Sequence, residues 1–398
     1  MSASRAFRIC FVAPGAYGAL SERPDLRHIG GAEVQQLLLA RELSRRGHDV
    51  NFVTLDHGQP DGERLGEIRV FKAYRVEAGL PGLRFAHPRW SGLAAAMRRA
   101  AADVYVQRGA GVETGQVAAW CRLRRRPFLF AAASDSNCER AVPRLSARER
   151  LLYRLGLRFA RGVVCQSEHQ RRRLRESFGI EATLARSCAE DPCPGGVLPE
   201  RTPPHEGLRV LWVGRFSPEK RFELALELAA RAPELHIDVV GGRAGKAGYA
   251  EALERRAGAL PNVTLHGWIP HERVGPHYER AHVLLCTSAV EGFPNTFLEA
   301  WARGTPSVST VDPDGLIERD GLGAVAARAE GLHDALGRLL RDPARWAAAS
   351  RRARRRFLDH HVPARAGDTY EAVLGALITR GSGRTPGSER AEPMEARG

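Results

Sequence analysis

The sequence predicts an α/β protein of two Rossmann-like domains facing one another across a cleft, followed by C-terminal helices. Three observations predict it. At 398 residues the chain is too long for one ordinary core, so two domains are expected. Short runs rich in Val, Ile and Leu alternate with amphipathic helical patterns, the mark of buried parallel strands joined by helices. The alternation breaks once, in a proline-rich stretch, and then restarts.

In the first half the strands expected are "RICFVAP" (8–14), "DVNFVT" (49–54), "IRVFKAY" (68–74), "DVYVQR" (103–108), "PFLFAAA" (127–133) and "GVVCQS" (162–167). Helical patterns occupy 31–46, 88–102, 112–125, 145–160 and 168–178, which completes one doubly wound domain over 1–187. Residues 188–207, "CAEDPCPGGVLPERTPPHEG", carry five prolines and no apolar period, and are expected to be the linker. Strands then resume at 208–214, 235–241, 263–268, 282–288 and 306–310, with helices near 219–232, 249–259, 272–281 and 294–303. The second domain is expected over 208–345 and closing helices over 346–379, the last of them packing back on the first domain. "HHVP" marks a break near 360–363, and the Gly/Pro/Ser/Glu-rich tail 380–398 has too few large apolar groups to order itself.

Charge is unevenly spread. The net +14 divides into 32 basic against 20 acidic residues in 1–195 and 28 against 26 in 196–398. Residues 120–175 alone hold 15 basic and 4 acidic side chains. Such a surplus fits either solvated arginine-rich helix faces or an anionic partner, lipid headgroups before nucleic acid. "RLRRR" (122–126) and "RRRLR" (171–175) lack the interleaved aromatics of a base-stacking surface, so no specific nucleic acid is expected. Seven scattered cysteines form no disulfide framework, the first residues lack a long apolar run, and no stretch reaches a membrane-spanning length. A cytoplasmic protein with reduced thiols is expected, with peripheral contact to the inner membrane face through its basic first domain. Cys188 and Cys193 lack the further ligands that a metal needs, so no metal is expected.

Chemistry is expected beyond the carboxyl ends of the strands, where helix N-termini present free N–H groups. Gly30 and Gly31 precede a long helix and can let a phosphate approach bare backbone, though glycines also serve ordinary strand–helix turns. In "VGRFSPEK", Arg215 and Lys220 flank a helix start and together suit a pyrophosphate; exposed charges at a plain turn are the alternative. In "SAVEGFPNTFLEAW" (288–301), Glu291 and Gly292 form a turn after a buried strand and Pro294 fits the first turn of a helix. The amides of Asn295 and Thr296 can meet an anion there, while Glu299 and Glu291 can each accept bonds from sugar hydroxyls. "GGRAGKAG" (241–248) fails the phosphate-loop spacing and is set aside.

Glu291 to Glu299 resembles the E-x7-E signature of the retaining glycosyltransferases of family 4, which have the two-domain GT-B fold. "VGRFSPEK" is similar to that family's donor loop, "VTLHGWIPHERVGPHYERAHVLLCTS" and "EAWARGTPSVST" to its flanking segments, and "GGAE" to its glycine loop, in order over residues 7–378. The resemblance implies a donor-binding second domain and an acceptor-binding first domain. It implies that Arg215 and Lys220 hold the donor diphosphate, that Glu299 binds the nucleotide ribose, and that Glu291 with the 293–296 backbone meets the transferred sugar. Gly30 and Gly31 would close over the diphosphate, and no metal or other cofactor is needed. The implied partners are a nucleotide-diphosphate sugar and a glycan, lipid-linked or small-molecule acceptor.

Three departures stand out. Ala133, Ser134 and Asp135 replace a histidine that many relatives carry; Asp135 or Asn137 can contact sugar or acceptor, or cap a helix. Arg221 stands where the family has a glycine, and "DPDGLIERDGLG" replaces a common glycine-containing turn. The competing functions are a nucleotide-sugar epimerase of the same architecture and a basic nucleic-acid-binding protein.

Overall fold

Two parallel sheets organise the chain, as its twofold alternation of apolar runs and helices requires. The computed structural model describes residues 6–381 apart from 22, 24, 25, 27–29, 144, 196, 197, 199–207 and 244–246. Among the described residues, the first sheet holds β1 (Arg8–Val12), β2 (Asp49–Thr54), β3 (Glu63–Leu65), β4 (Ile68–Lys72), β5 (Val104–Arg108), β6 (Phe128–Ala131), β7 (Gly162–Cys165) and β8 (Thr183–Leu184). Their order is β3-β4-β2-β1-β5-β6-β7-β8, parallel except for the β3–β4 edge hairpin. Helices α1 (Tyr17–Ser21), α2 (Gly31–Arg45), α3 (Ser91–Ala100), α4 (Val112–Leu123), α5 (Ala147–Phe159) and α6 (Glu168–Phe178) cover it.

The second sheet is parallel throughout, in the order β11-β10-β9-β12-β13-β14. It comprises β9 (Leu208–Phe216), β10 (Leu235–Arg243), β11 (Val263–Gly267), β12 (Val283–Cys286), β13 (Ser307–Ser309) and β14 (Gly323–Val325). Around it lie α7 (Phe222–Arg231), α8 (Ala247–Gly258), α9 (Gly275–Arg280), α10 (Asn295–Ala302), α11 (Leu316–Arg319), α12 (Ala329–Leu340) and α13 (Pro343–His360). Each sheet is buried on both faces. Ile9 and Phe11 of β1 face one core while Cys10 and Val12 face another, and Val210 and Leu211 of β9 divide in the same way.

The last helix, α14 (Pro363–Gly381), returns to the first domain. Ala366, Tyr370, Leu374 and Leu377 enter the core beneath α2, and Arg46, the residue that follows α2, donates to Glu371 Oε2 at 3.0 Å and Ala364 O at 2.7 Å. This helix runs past position 379, and the rest of the expected tail lies outside the described residues. Most of the expected linker, 196, 197 and 199–207, also lies outside them.

The two chain crossings between domains meet side by side. Ala189 N donates to His361 O at 3.0 Å, and the ring Nδ1 of His361 lies 2.9 Å from Ser187 O. His361 is fully buried, with its Nε2 unpartnered and its ring against Phe293 and Trp301.

Three strands escaped the sequence pattern, namely β3, β8 and β14, each only two or three residues long. Among the described residues, no helix is long and apolar enough to cross a membrane.

Candidate active site

The site residues leave from neighbouring strands of the second sheet, β9 and β12, at their carboxyl ends. Arg215 was expected in the turn after the strand and helix from about 219. Instead β9 runs on to Phe216, with Arg215 in register with Gly242 of β10, because the neighbouring strand runs equally far and continues the ladder. A single helical turn follows over Pro218–Lys220, and α7 begins only at Phe222. Between them Arg221 is left-handed at φ 46°, a conformation a glycine adopts without strain. Its guanidinium offsets that strain by donating to Thr287 O at 2.9 Å and Ser288 O at 3.1 Å, which ties the turn to the segment after β12.

More bonds join the same two segments. Trp212 Nε1 donates to Thr287 Oγ1 at 2.9 Å, and Thr287 Oγ1 donates to Lys220 O at 2.7 Å. Lys220 Nζ forms an ion pair with Glu291, whose Oε1 also accepts from Ser288 Oγ at 2.7 Å. Lys220 and Glu291 therefore meet in space although 71 residues separate them. Arg215 stays largely exposed, its guanidinium 4.0 Å from Glu219.

Pro294 differs from expectation. At φ −63° and ψ 123° it is extended and precedes the helix, so α10 starts at Asn295. The helix presents the backbone of Asn295 and Thr296 at its N-terminus and carries Glu299 one turn along. Glu299 Oε2 accepts from Tyr278 OH at 2.6 Å, and its Oε1 lies 3.0 Å from His271 Nε2. Bonding to Glu299 raises the His271 pKa, and burial followed by the Glu299 charge pushes the Tyr278 phenol well up. Sequence reasoning missed both partners; a histidine and a tyrosine in the segment preceding a signature acid are a signal too weak to read alone.

Among the described residues, the first domain meets the second at and around this site in three places. Asn295 Nδ2 donates to Gly31 O at 3.1 Å, and a Cβ on Gly31 would lie 3.0 Å from that nitrogen. Gly30, extended, is the residue before α2 and sits beside Glu33. Gln35, buried and also missed, donates from Nε2 to Asn295 Oδ1 at 3.1 Å and to Cys188 O at 2.7 Å, while its Oε1 accepts from Cys188 N at 2.9 Å. Second, Gly292 packs so closely on Ser134 that a Cβ there would lie 2.9 Å from Ser134 Cα and 3.1 Å from Ala133 O. Neighbouring Phe293 is buried against Trp301. Third, Asp314, left-handed at φ 57°, accepts from Glu168 N at 2.8 Å and His169 N at 2.9 Å, capping α6 of the other domain. That is what the unusual "DPDG" turn does.

Asp135 is not the cap of its turn. Ser134 precedes the turn as its cap, and Asn137 Oδ1 accepts from Ala133 N at 2.8 Å, because an amide three residues into a tight turn reaches back to the entering backbone. Asp135 accepts instead from Gln170 Nε2 at 3.0 Å, beside His169, and burial raises its pKa. Among the described residues, no group of His, Cys, Asp and Glu is placed to hold a metal.

Two parallel α/β domains closed on one another, with a cation–acid pair, a helix N-terminus and a glycine loop converging between them, define the GT-B class. Comparison with known proteins places the chain within it. Residues 207–342 match the family described as "Glycosyl transferases group 1", and residues 30–187 match the "Glycosyl transferase 4-like domain". The chain belongs to these family 4-like glycosyltransferases.

Among curated relatives, a D-inositol 3-phosphate glycosyltransferase of Geodermatophilus obscurus is 33% identical over 205 residues, 46% of this chain and 43% of that protein. A lipopolysaccharide 1,6-galactosyltransferase of Salmonella typhimurium is 36% identical over 107 residues, 25% of this chain and 29% of that protein. The matched stretches thus span less than half the length of either relative. Among solved structures, sucrose-phosphate synthase from Thermosynechococcus elongatus superimposes with a TM-score of 0.72 at 19% identity, covering 92% of this chain and 99% of that one. Anabaena HepE in complex with UDP-glucose gives a TM-score of 0.71 at 16% identity, covering 93% and 100%.

Proposed function

We propose that the protein transfers a sugar from a nucleotide-diphosphate sugar to an acceptor with retention at the anomeric carbon. One observation carries this reading: the Gly30–Gly31 loop of one domain meets Asn295, at the head of α10, of the other, alongside the Lys220–Glu291 pair. A diphosphate entering there would meet the α10 backbone N–H groups, Lys220 and the exposed Arg215. Glu299, already oriented by Tyr278, would accept from the ribose hydroxyls, and Glu291 would orient the transferred sugar.

The barrier falls mainly because these groups are fixed where negative charge grows on the departing nucleotide diphosphate. In this reading Asp135, at the edge of the Gly292 contact, belongs to the sugar or acceptor side. The cations fill the role that a metal has elsewhere, so a chelator leaves turnover intact.

UDP-glucose, the ligand bound to HepE, is the first donor to test, followed by other nucleotide sugars. The donor that raises the melting temperature is then incubated with and without acceptors, and the product's anomeric configuration is read by NMR. Sugar interconversion without any acceptor would establish the epimerase instead. An inverted product would remove retention.

A further inference from the structure

Where the chain crosses between its domains, two arginines come together without enough acceptors. Arg186 follows β8 of the first domain and precedes Ser187, whose carbonyl oxygen lies 2.9 Å from His361 Nδ1. Arg356 stands on α13, about a turn and a half before His361. Its neighbour Phe357 shares a core with Ala189 of the other crossing. The two guanidiniums therefore reach one place from different domains. Burial first, and the Arg186 charge second, lowers the Arg356 pKa. Burial, and after it the charges of Arg356 and Arg186, lowers that of His360 as well.

The Arg356 side chain is 12% exposed. Its Nη1 donates to Asp320 Oδ2 at 3.2 Å. Its Nε and Nη2, the parallel donors along the other edge, are shielded from solvent and have no acceptor among the described residues. Nη1 of Arg186 is shielded and unmatched in the same way. The carboxylates that could answer them are engaged elsewhere. Asp320 Oδ1 accepts from Arg319 Nε at 2.9 Å, and Asp314 holds the amides of Glu168 and His169.

Nothing in the sugar-transfer reading uses this pair. Two like charges out of water, with three donors unmet, are unfavourable unless an anion joins them. The Nε–Nη2 edge is the fork that grips two oxygens of one group, and Arg186 adds a donor from a second direction. A carboxylate has two coplanar oxygens and one charge, which satisfies one fork. A phosphate group has oxygens for both guanidiniums and up to two charges. Arg186 is half-buried, so the ion enters on its side, and rotation of that flexible side chain admits it to the Arg356 edge.

We propose that Arg186 and Arg356 form an anion site at the domain crossing that takes a phosphate group, either the free ion or the head of a small phosphomonoester. Occupied, the site ties the first domain to α13 of the second. It is separate from the Arg215–Lys220 cations, and it does not rest on the sugar-transfer reading.

The test is titration calorimetry of the full chain with inorganic phosphate and with glycerol 3-phosphate, in chloride buffers of matched ionic strength. Saturable binding of at least one is expected. Binding confined to inorganic phosphate assigns the free ion; tighter binding of the ester assigns a phosphomonoester. Arg186→Gln and Arg356→Lys each raise the dissociation constant at least tenfold, the second because an ammonium keeps the charge but loses the fork. Arg215→Ala with Lys220→Ala leaves it unchanged. Arg186→Gln breaks no bond of Nη1 to a described residue and removes a like charge beside Arg356, so in chloride alone this variant melts no lower than the wild type. Added phosphate then raises the melting temperature of the wild type and not that of the variant.

No saturable binding of either compound overturns the site, as does a dissociation constant that neither hinge variant moves. Loss of binding in the Arg215 and Lys220 double variant would place the ion among the donor-site cations instead. A lower melting temperature of Arg186→Gln in chloride would show that the arginine already has a protein partner.

Discussion

Acid should loosen this protein at the junction of its domains, and His361 is the group to follow. Its ring is fully buried, and burial drives its pKa from the ordinary 6.5 down to about 3. A depressed histidine pKa means the fold takes up the neutral form while the unfolded chain takes up the proton. Its contribution is complete above the unfolded pKa and is lost progressively as pH falls from 6.5 toward about 3. Between pH 7 and pH 5 the linkage amounts to about 2 kcal/mol, a large share of a typical folding free energy.

His361→Asn isolates this contribution, because the amide can still donate to Ser187 O but does not titrate. Urea unfolding followed by fluorescence of the second-domain tryptophans, such as the adjacent Trp301, would be run at both pH values for both proteins. Wild type should lose about 2 kcal/mol more than the variant on acidification. The cavity left by the smaller side chain lowers the variant equally at both pH values and drops out of the difference. If the two proteins weaken in parallel, His361 is not the buried neutral group described.

Three further outcomes are expected. Arg215→Ala and Lys220→Ala should each weaken donor binding ten- to a hundredfold, about 1.4–3 kcal/mol, by titration calorimetry with the stabilising nucleotide sugar; unchanged affinity would remove them from the diphosphate site. Because its bond to Glu299 holds the His271 pKa up, that pair contributes most below the ordinary histidine pKa and fades as pH rises through the raised value. Glu299→Gln should therefore bring the His271 titration, followed by NMR, back down, and an unmoved curve would refute the pairing. Asp314→Gly keeps the left-handed turn but removes the cap on α6, a loss of about 1 kcal/mol, so the unliganded chain should scatter X-rays with a larger radius of gyration; superimposable curves would show that Asp314 does not hold the domains together.

Much of this architecture was readable before any coordinates. Runs such as "RVLWV" are buried on both faces in parallel sheets, so their apolar continuity survives in the sequence, whereas the two residues of β8 are too few to leave a pattern. The turn around Glu291 was legible because Gly292 and Pro294 are backbone choices with local causes. Illegible were the groups that act across distance. Asp314 finds the amides of α6 146 residues away, Gln35 finds Cys188 after 153, and His361 finds Ser187 after 174. Each is polar and singly placed, so no period betrays it. Arg221 was visible as an exception to a family pattern, but only the structure shows a left-handed arginine fastened to two carbonyls.

The return of α14 to the first domain gives the protein an order of birth. Synthesis delivers β1 and α2 before the second domain, yet Tyr370, Leu374 and Leu377, which line the same core, emerge only after it. The first domain is thus completed only after its neighbour, and it waits with its greasy flank uncovered while the second domain is made. A nascent chain stalled before residue 363 should recruit chaperones that a chain released with α14 in place no longer needs.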